Sequence, residues 1–160
     1  MISIRTTTIE DVPLILGFVR HLAEYERAPD AVVATEEDLK RDGFGPEPRF
    51  RCLIAEWNNT PAGYALYFYN YSTWIGRPGL YLEDLFVLPE MRGKGIGKAL
   101  LKRLAQIAIR ENCYGMRWQV LDWNKPSIKF YESLGATMLK EWETMRLMGP
   151  ALARLAGEAE

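Results

Sequence analysis

Between Tyr81 and Lys98 the chain reads Tyr-Leu-Glu-Asp-Leu-Phe-Val-Leu-Pro-Glu-Met-Arg-Gly-Lys-Gly-Ile-Gly-Lys, and no other stretch limits the possible folds as sharply. Leu80 to Val87 is a strand, apolar on both faces apart from Glu83 and Asp84, and Pro89 ends it. Ile96, Leu100, Leu101, Leu104, Ile107 and Ala108 then repeat at helical spacing. Between strand and helix, Gly93, Gly95 and Gly97 stand at alternating positions. Glycines so spaced let several backbone N–H groups converge at the positive end of a helix, an arrangement suited to phosphate. Arg92, Lys94 and Lys98 add positive charge there. The turn lacks the Gly-Lys-Ser/Thr of a Walker loop and the G-x-G-x-x-G spacing of a dinucleotide fingerprint. Taken alone, the glycines fit a plain tight turn as well.

The remaining elements surround this unit in an order that mixes strands and helices. Met1 to Arg5 alternates as a first strand; Thr8 and Asp11 are spaced as an N-terminal cap for a helix that runs to about Tyr25, where Pro29-Asp30 breaks it. Thr35-Glu36-Glu37-Asp38 caps a short helix ending near Gly43. Arg51–Glu56 and Gly63–Tyr71 read as a hairpin across the turn Asn58-Asn59-Thr60-Pro61. Met116–Leu121 is a strand, and Pro126 begins a helix ending at Gly135. Met138–Leu147 is expected to be a final strand, and Ala151–Ala156 a short closing helix. The expected class is α/β (α+β), with a mixed, mostly antiparallel sheet flanked by helices in a single domain spanning 1–160.

A second motif turns the glycine turn from a weak signal into a specific one. Asn124-Lys125-Pro126-Ser127-Ile128-Lys129-Phe130-Tyr131-Glu132-Ser133-Leu134-Gly135 has the form N-x-x-A/S-x-x-x-Y on a helix that ends in glycine, and it follows Arg92-x-x-Gly95-x-Gly97 in the chain. Together the two resemble the GNAT superfamily of N-acetyltransferases, and the resemblance covers nearly the whole chain. Leu22-Ala23-Glu24-Tyr25-Glu26, Asp38-Leu39, Asp42-Gly43-Phe44-Gly45, Trp74-Ile75-Gly76 and Tyr81-Leu82-Glu83-Asp84 narrow it to the spermidine/spermine (diamine) acetyltransferase group.

The resemblance implies a GNAT fold, acetyl-CoA as co-substrate, a small amine as acceptor, and a homodimer. It implies that Leu85, Phe86 and Val87 offer backbone groups to the pantetheine arm where the strand splays from its neighbour. It also implies that Arg92, Gly93, Lys94, Gly95, Ile96, Gly97 and Lys98 receive the pyrophosphate, with Asn124 and Ser127 completing the cofactor set. Acetyl transfer needs an amine that has lost a proton from a group with pKa near ~10.4, and a proton for a leaving thiolate whose acid has pKa about 8.5. A phenol stays protonated at neutral pH, so Tyr131, at the family's acid position, is the expected general acid. Glu83, in an otherwise apolar strand, is the expected aid to deprotonation. Asp84 falls on the opposite face if the strand is regular. Tyr25, Glu26, Trp74, Glu83, Asp84 and Glu143 match positions that line a polyamine channel, where carboxylates and aromatic faces attract ammonium groups.

Two positions depart from that group. Met145 stands where the polyamine enzymes tend to have tryptophan, and Arg27 would repel a cationic substrate. An acetyltransferase for a lysine-like amino acid such as thialysine, or for protein lysines, therefore stays open, as does a non-catalytic acyl-CoA-binding protein. Other classes are disfavoured. A net charge of −1 gives no field for nucleic acid, no apolar run approaches the ~20 residues of a membrane span, and no cluster has metal-ligand spacing. His21 lacks a nucleophile signature, and Cys52 and Cys113 read as free core thiols of a cytoplasmic protein.

Overall fold

The computed structural model describes residues 1–158; the last two positions of the expected 1–160 domain lie outside the described residues. The contacts group into two compact units, residues 1–121 and residue 122 onward. The first holds β1 (Ile2–Thr6), α1 (Val12–Tyr25), α2 (Glu36–Phe44), β2 (Arg51–Trp57), β3 (Thr60–Ser72), β4 (Arg77–Val87), α3 (Ile96–Arg110) and β5 (Met116–Trp118). The second holds α4 (Lys125–Ser133) and α5 (Gly149–Ala156).

The sheet is open, in the order β1-β2-β3-β4-β5; the first four strands are antiparallel neighbours and β5 runs parallel to β4. The short turns after β2 and β3 pair those strands antiparallel, β1 meets β2 antiparallel across the long connection through α1 and α2, and the crossover through α3 delivers a parallel partner. The α1 side of the core is built from Ile15, Phe18, Cys52, Ile54, Tyr64, Leu66 and Phe86. Helix α3 packs its stripe of Ile96, Leu100, Leu101, Leu104, Ile107 and Ala108 against β1 to β4. Before α1, the expected cap is real: the amide of Thr8 donates to Asp11 at 2.8 Å. The same carboxylate takes a bidentate Arg5 guanidinium at 2.9 Å, and Arg5 Nε reaches Glu56 at 2.8 Å, so one cation ties β1 to the helix entry and to β2. That guanidinium holds the Asp11 carboxyl below its ordinary range.

Three expectations change. The stretch Met138–Leu147 forms no strand; it is irregular, and its side chains are exposed. Its apolar residues Met138, Leu139, Trp142, Met145 and Leu147 are unevenly spaced, so no one face is apolar, and a strand exists only where a neighbour completes its ladder. Strand β5 stops at Trp118, three residues short of Leu121. Third, β4 is not regular. Its register with β3 runs Leu85↔Ala65 and Asp84↔Leu66, then Leu82↔Tyr67, leaving Glu83 without an opposite residue: a β-bulge.

Close approach of β3 to β4 just beyond the bulge depends on Gly63. A Cβ there would lie 2.5 Å from the carbonyl oxygen of Phe86 and 3.1 Å from Val87 Cα, both backbone atoms that cannot step aside. Gly63→Ala is therefore expected to cost about 1–3 kcal/mol, read as a lowered urea midpoint with unchanged slope.

Candidate functional site

The turn after β4 has the conformation its glycines predict. A 3-10 turn over Pro89–Met91 leads into Arg92; Gly93 and Gly95 adopt left-handed φ of 76° and 80°, and Gly95 is the N-cap of α3. The first helical bond runs from the Ala99 amide to the Gly95 carbonyl at 3.0 Å, so the amides of Ile96, Gly97 and Lys98 precede the ladder and point out of the helix end. Buried Ile96 anchors that end, while Gly93, Lys94, Gly95 and Lys98 are exposed. Lys94 extends over the Trp57 ring at 5.0 Å. Exposed amides, a helix N-terminus and two lysines fit the diphosphate of a CoA ester.

Nothing lies within 4 Å of a Cβ added at Gly95, so the demand on this residue is its backbone conformation and not space. A β-branched residue resists left-handed φ by roughly 1–2 kcal/mol. Gly95→Val is expected to weaken CoA binding by about tenfold or more while the protein stays folded, as calorimetric titration would show.

Arg92 plays a part the sequence did not suggest. Its Nε donates to the Val87 carbonyl at 3.1 Å, and its guanidinium lies 4.8 Å from the Tyr25 ring centre and 5.5 Å from that of Phe86. The cation thus closes the turn against the end of β4 and against the last turn of α1. On the other edge of β4, pairing with β5 ends at Leu82↔Trp118, so the stretch from Glu83 to Val87 runs on past its parallel neighbour. The backbone of Leu85, Phe86 and Val87, expected to face the pantetheine arm, belongs to this stretch. The side chain of Phe86 fills the core.

Next to that edge lies an acidic group made of Glu26, Glu83 and Asp84. Glu83, the expected aid to deprotonation, is exposed on the bulge. Asp84, which a regular strand would turn to the opposite face, comes to the α1 side instead. It sits opposite Leu66 of the α1-side core and accepts a hydrogen bond from the Tyr64 hydroxyl at 2.9 Å. Burial raises its pKa to about 6; the Tyr64 hydrogen bond lowers it, and the charges of Glu83 and Glu26 raise it. Glu26 is raised as well, by partial burial and then by Glu83. Tyr64 itself is fully buried, its ring stacked on Phe18 at 5.3 Å, and burial beside Asp84 keeps its phenol protonated. Sequence reasoning missed Tyr64. The available signal was a tyrosine between Gly63 and Ala65 in an apolar strand, since a buried phenol needs a partner for its hydroxyl.

Because the folded state holds a proton on Asp84 more tightly than the ordinary carboxyl at 3.8, ionising it costs stability. The cost is absent below about pH 4, grows as pH rises, and is complete above about pH 6. Asp84→Asn keeps an acceptor for Tyr64 and removes the charge. It is expected to stabilise the protein by on the order of 1–3 kcal/mol at pH 7, with the gain vanishing near pH 4 in denaturant titrations.

Trp74, at the tip between β3 and β4, is 91% exposed and anchors no core. His21 stacks on Phe86 at 6.4 Å. In the second unit, Asn124 is the N-cap of α4 and its side chain accepts from the Ser127 amide at 3.4 Å, which accounts locally for the Asn-x-x-Ser spacing. Tyr131 lies on the same helix, partly buried, its ring 5.6 Å from Phe130. Glu143 is exposed in the irregular stretch before α5. Among the described residues no group of His, Cys, Asp and Glu could hold a metal ion, and no helix is long and apolar enough to cross a membrane.

The model of the Acetyltransferase (GNAT) family matches residues 17–136. The thialysine N-epsilon-acetyltransferase of Sus scrofa is 44% identical, over 98% of this chain and 98% of that protein. The spermidine/spermine N(1)-acetyltransferase-like protein 1 of Homo sapiens is 41% identical over 98% of this chain and 24% of the longer human protein. Among solved structures, an integron cassette protein from the mobile metagenome of V. cholerae superposes with a TM-score of 0.80 at 31% identity, covering 97% of each chain.

Proposed function

The chain belongs to the GNAT acetyltransferase family, and we propose that it transfers the acetyl group of acetyl-CoA to a primary amine of a small diamine or polyamine. One observation carries the reading. Within the first unit, Arg92 of an anion-receiving glycine turn rests on the rings of Tyr25 and Phe86, and an acidic group holds Glu26, the residue after Tyr25, with Glu83 and Asp84 of the same strand as Phe86. A donor bearing a diphosphate and an acceptor bearing ammonium groups need that pairing of opposite fields.

When bound, acetyl-CoA supplies an activated acyl group as a thioester. The residues of this chain do the rest. The amides of Gly93 to Lys98, with Lys94 and Lys98, hold the diphosphate, and Leu85, Phe86 and Val87 offer backbone groups along β4. Asn124 and Ser127, by their place in the family motif, serve the same ligand. Glu26, Glu83 and Asp84 draw in the ammonium, Tyr25 and Trp74 offer aromatic faces, and Glu143 adds charge for a distant amine. The ammonium loses its proton to the carboxylates at the bulge, where Glu83 is the residue the family pattern assigns. Tyr131, on its motif, supplies the proton that a departing thiolate takes up. A homodimer and a cytoplasmic location complete the reading.

A lysine-like acceptor is the second reading, favoured by the name of the Sus scrofa relative. The test is release of free thiol with a panel of diamines, polyamines and lysine analogues. Tyr131→Phe keeps the ring and removes only the O–H, so it is expected to bind acetyl-CoA normally and to lose about 10²–10⁴ in kcat. Turnover of that variant at the wild-type rate would remove Tyr131 from the mechanism. Cofactor binding without any acetylation across the panel would favour a non-catalytic acyl-CoA-binding protein.

A further inference from the structure

We propose that Trp57 is a positioning residue of the cofactor turn: its ring holds the Lys94 ammonium, and through it keeps Gly93 to Gly95 in the shape that receives a diphosphate; the inference rests on the acetyltransferase reading above. The turn needs such a hold. Gly93 and Gly95 adopt left-handed φ of 76° and 80°, and a Cβ at either would meet nothing within 4 Å, so no neighbour packs against them there. Glycine takes either sign of φ at little cost. A turn free to wander would have to be ordered by its ligand, and that entropy would be lost from affinity.

The side chains that alternate with these glycines go to different places. Arg92 reaches the Val87 carbonyl and the rings of Tyr25 and Phe86. Ile96 is buried at the start of α3. Between them Lys94 is exposed, and its Nζ lies 5.0 Å from the centre of the Trp57 ring. Arg92 and Ile96 fix the two ends of the turn; Lys94 is the contact in its middle.

Trp57 is a firm place for that contact. It is half-buried, the last residue of β2, in register with Ile2 of β1 and Thr60 of β3. The hairpin turn after it has Asn58 and Asn59 at φ of 49° and 66°, the two-residue form that suits twisted strands. The Asn58 amide also donates to the Met1 carbonyl at 2.9 Å. A ring mounted there is tied to the strands on both sides. A carboxylate in its place would cancel the charge that draws in the diphosphate, whereas an aromatic face attracts the ammonium and leaves its charge intact. Trp57 thus acts only through Lys94 and takes no part in the chemistry.

The experiment measures CoA affinity by calorimetric titration in the wild-type protein, Trp57→Leu, Trp57→Phe, Lys94→Met and the double variant Trp57→Leu/Lys94→Met. Trp57→Leu is expected to weaken binding about three- to tenfold. Trp57→Phe, which keeps an aromatic face, should recover most of that loss. In the Lys94→Met background Trp57→Leu should cost less than about twofold further, because the group it serves is gone. With an amine that the wild-type protein acetylates, KM for acetyl-CoA should rise in Trp57→Leu and kcat should not fall. In the free protein, ¹⁵N order parameters of the Gly93 and Gly95 amides should drop in Trp57→Leu and in Lys94→Met. Lys94 is exposed, so this measurement on Lys94→Met keeps the test open should Trp57→Leu fold poorly.

Losses that add in the double variant overturn the proposal. So does unaltered affinity in Trp57→Leu beside weakened binding in Lys94→Met, and so do glycine amides as rigid in Lys94→Met as in the wild-type protein. CoA binding that follows the expected cycle, without acetylation of any amine, upholds the role of Trp57 and removes the enzyme reading. A wild-type protein that binds no CoA removes both.

Discussion

A strand has a side-chain period of two, so one extra residue exchanges its faces for everything that follows. Strand β4 contains that extra residue at Glu83. Before it, Leu82 is paired with Tyr67 and with Trp118 of β5; after it, Asp84 and Phe86 stand opposite Leu66 and Tyr64 in the α1-side core. Pairing with β5 ends at the residue before the bulge. A single irregularity thus coincides with two features of the site: a carboxylate brought to the α1 side, and a length of strand backbone that has parted from its parallel neighbour. Gly63 lets β3 follow β4 closely enough to keep the antiparallel ladder intact past that point.

The same region keeps opposite charges close without cancelling them. Arg92 would neutralise Glu26, Glu83 or Asp84 if it paired with them, and the amine field would be lost. Instead its guanidinium rests on the faces of Tyr25 and Phe86 and donates to the Val87 carbonyl. Stacking on rings satisfies a planar cation with little loss of its charge. Lys94 is treated alike, above Trp57. The aromatic residues of the first unit therefore hold cations at the glycine turn and leave the carboxylates at the end of α1 available. The overall charge of −1 conceals this separation.

Features set by local chemistry were legible in the sequence. The Thr8–Asp11 and Thr35–Asp38 caps and the glycine turn before α3 each need only a few neighbouring residues, and each is present. The hairpin of β2 and β3 and the apolar stripe of α3 followed from periodicity. What failed depended on distant partners. Met138–Leu147 has some alternation but forms no ladder. The exchange between Glu83 and Asp84 was invisible because a period-two reading assumes a regular pleat, and nothing in Tyr81-Leu82-Glu83-Asp84 announces a bulge. Tyr64 lies twenty residues away from Asp84 in the chain, so its role depended on a strand register that spacing does not contain.

Asp84 is held at a cost to folding. An ionised carboxylate withdrawn from water costs folding free energy, and here its one hydrogen bond is opposed by two like charges. A core selected for stability alone would place an apolar or amide residue opposite Leu66 and let Tyr64 find a neutral acceptor. Tyr64 cannot relieve the cost by taking the charge itself, because burial keeps the phenol protonated. The pair therefore remains a donor and a strained acceptor over the whole physiological range. A stability deficit localised at one carboxylate, next to a cation-attracting rim, is the pattern expected where folding free energy has been exchanged for reactivity.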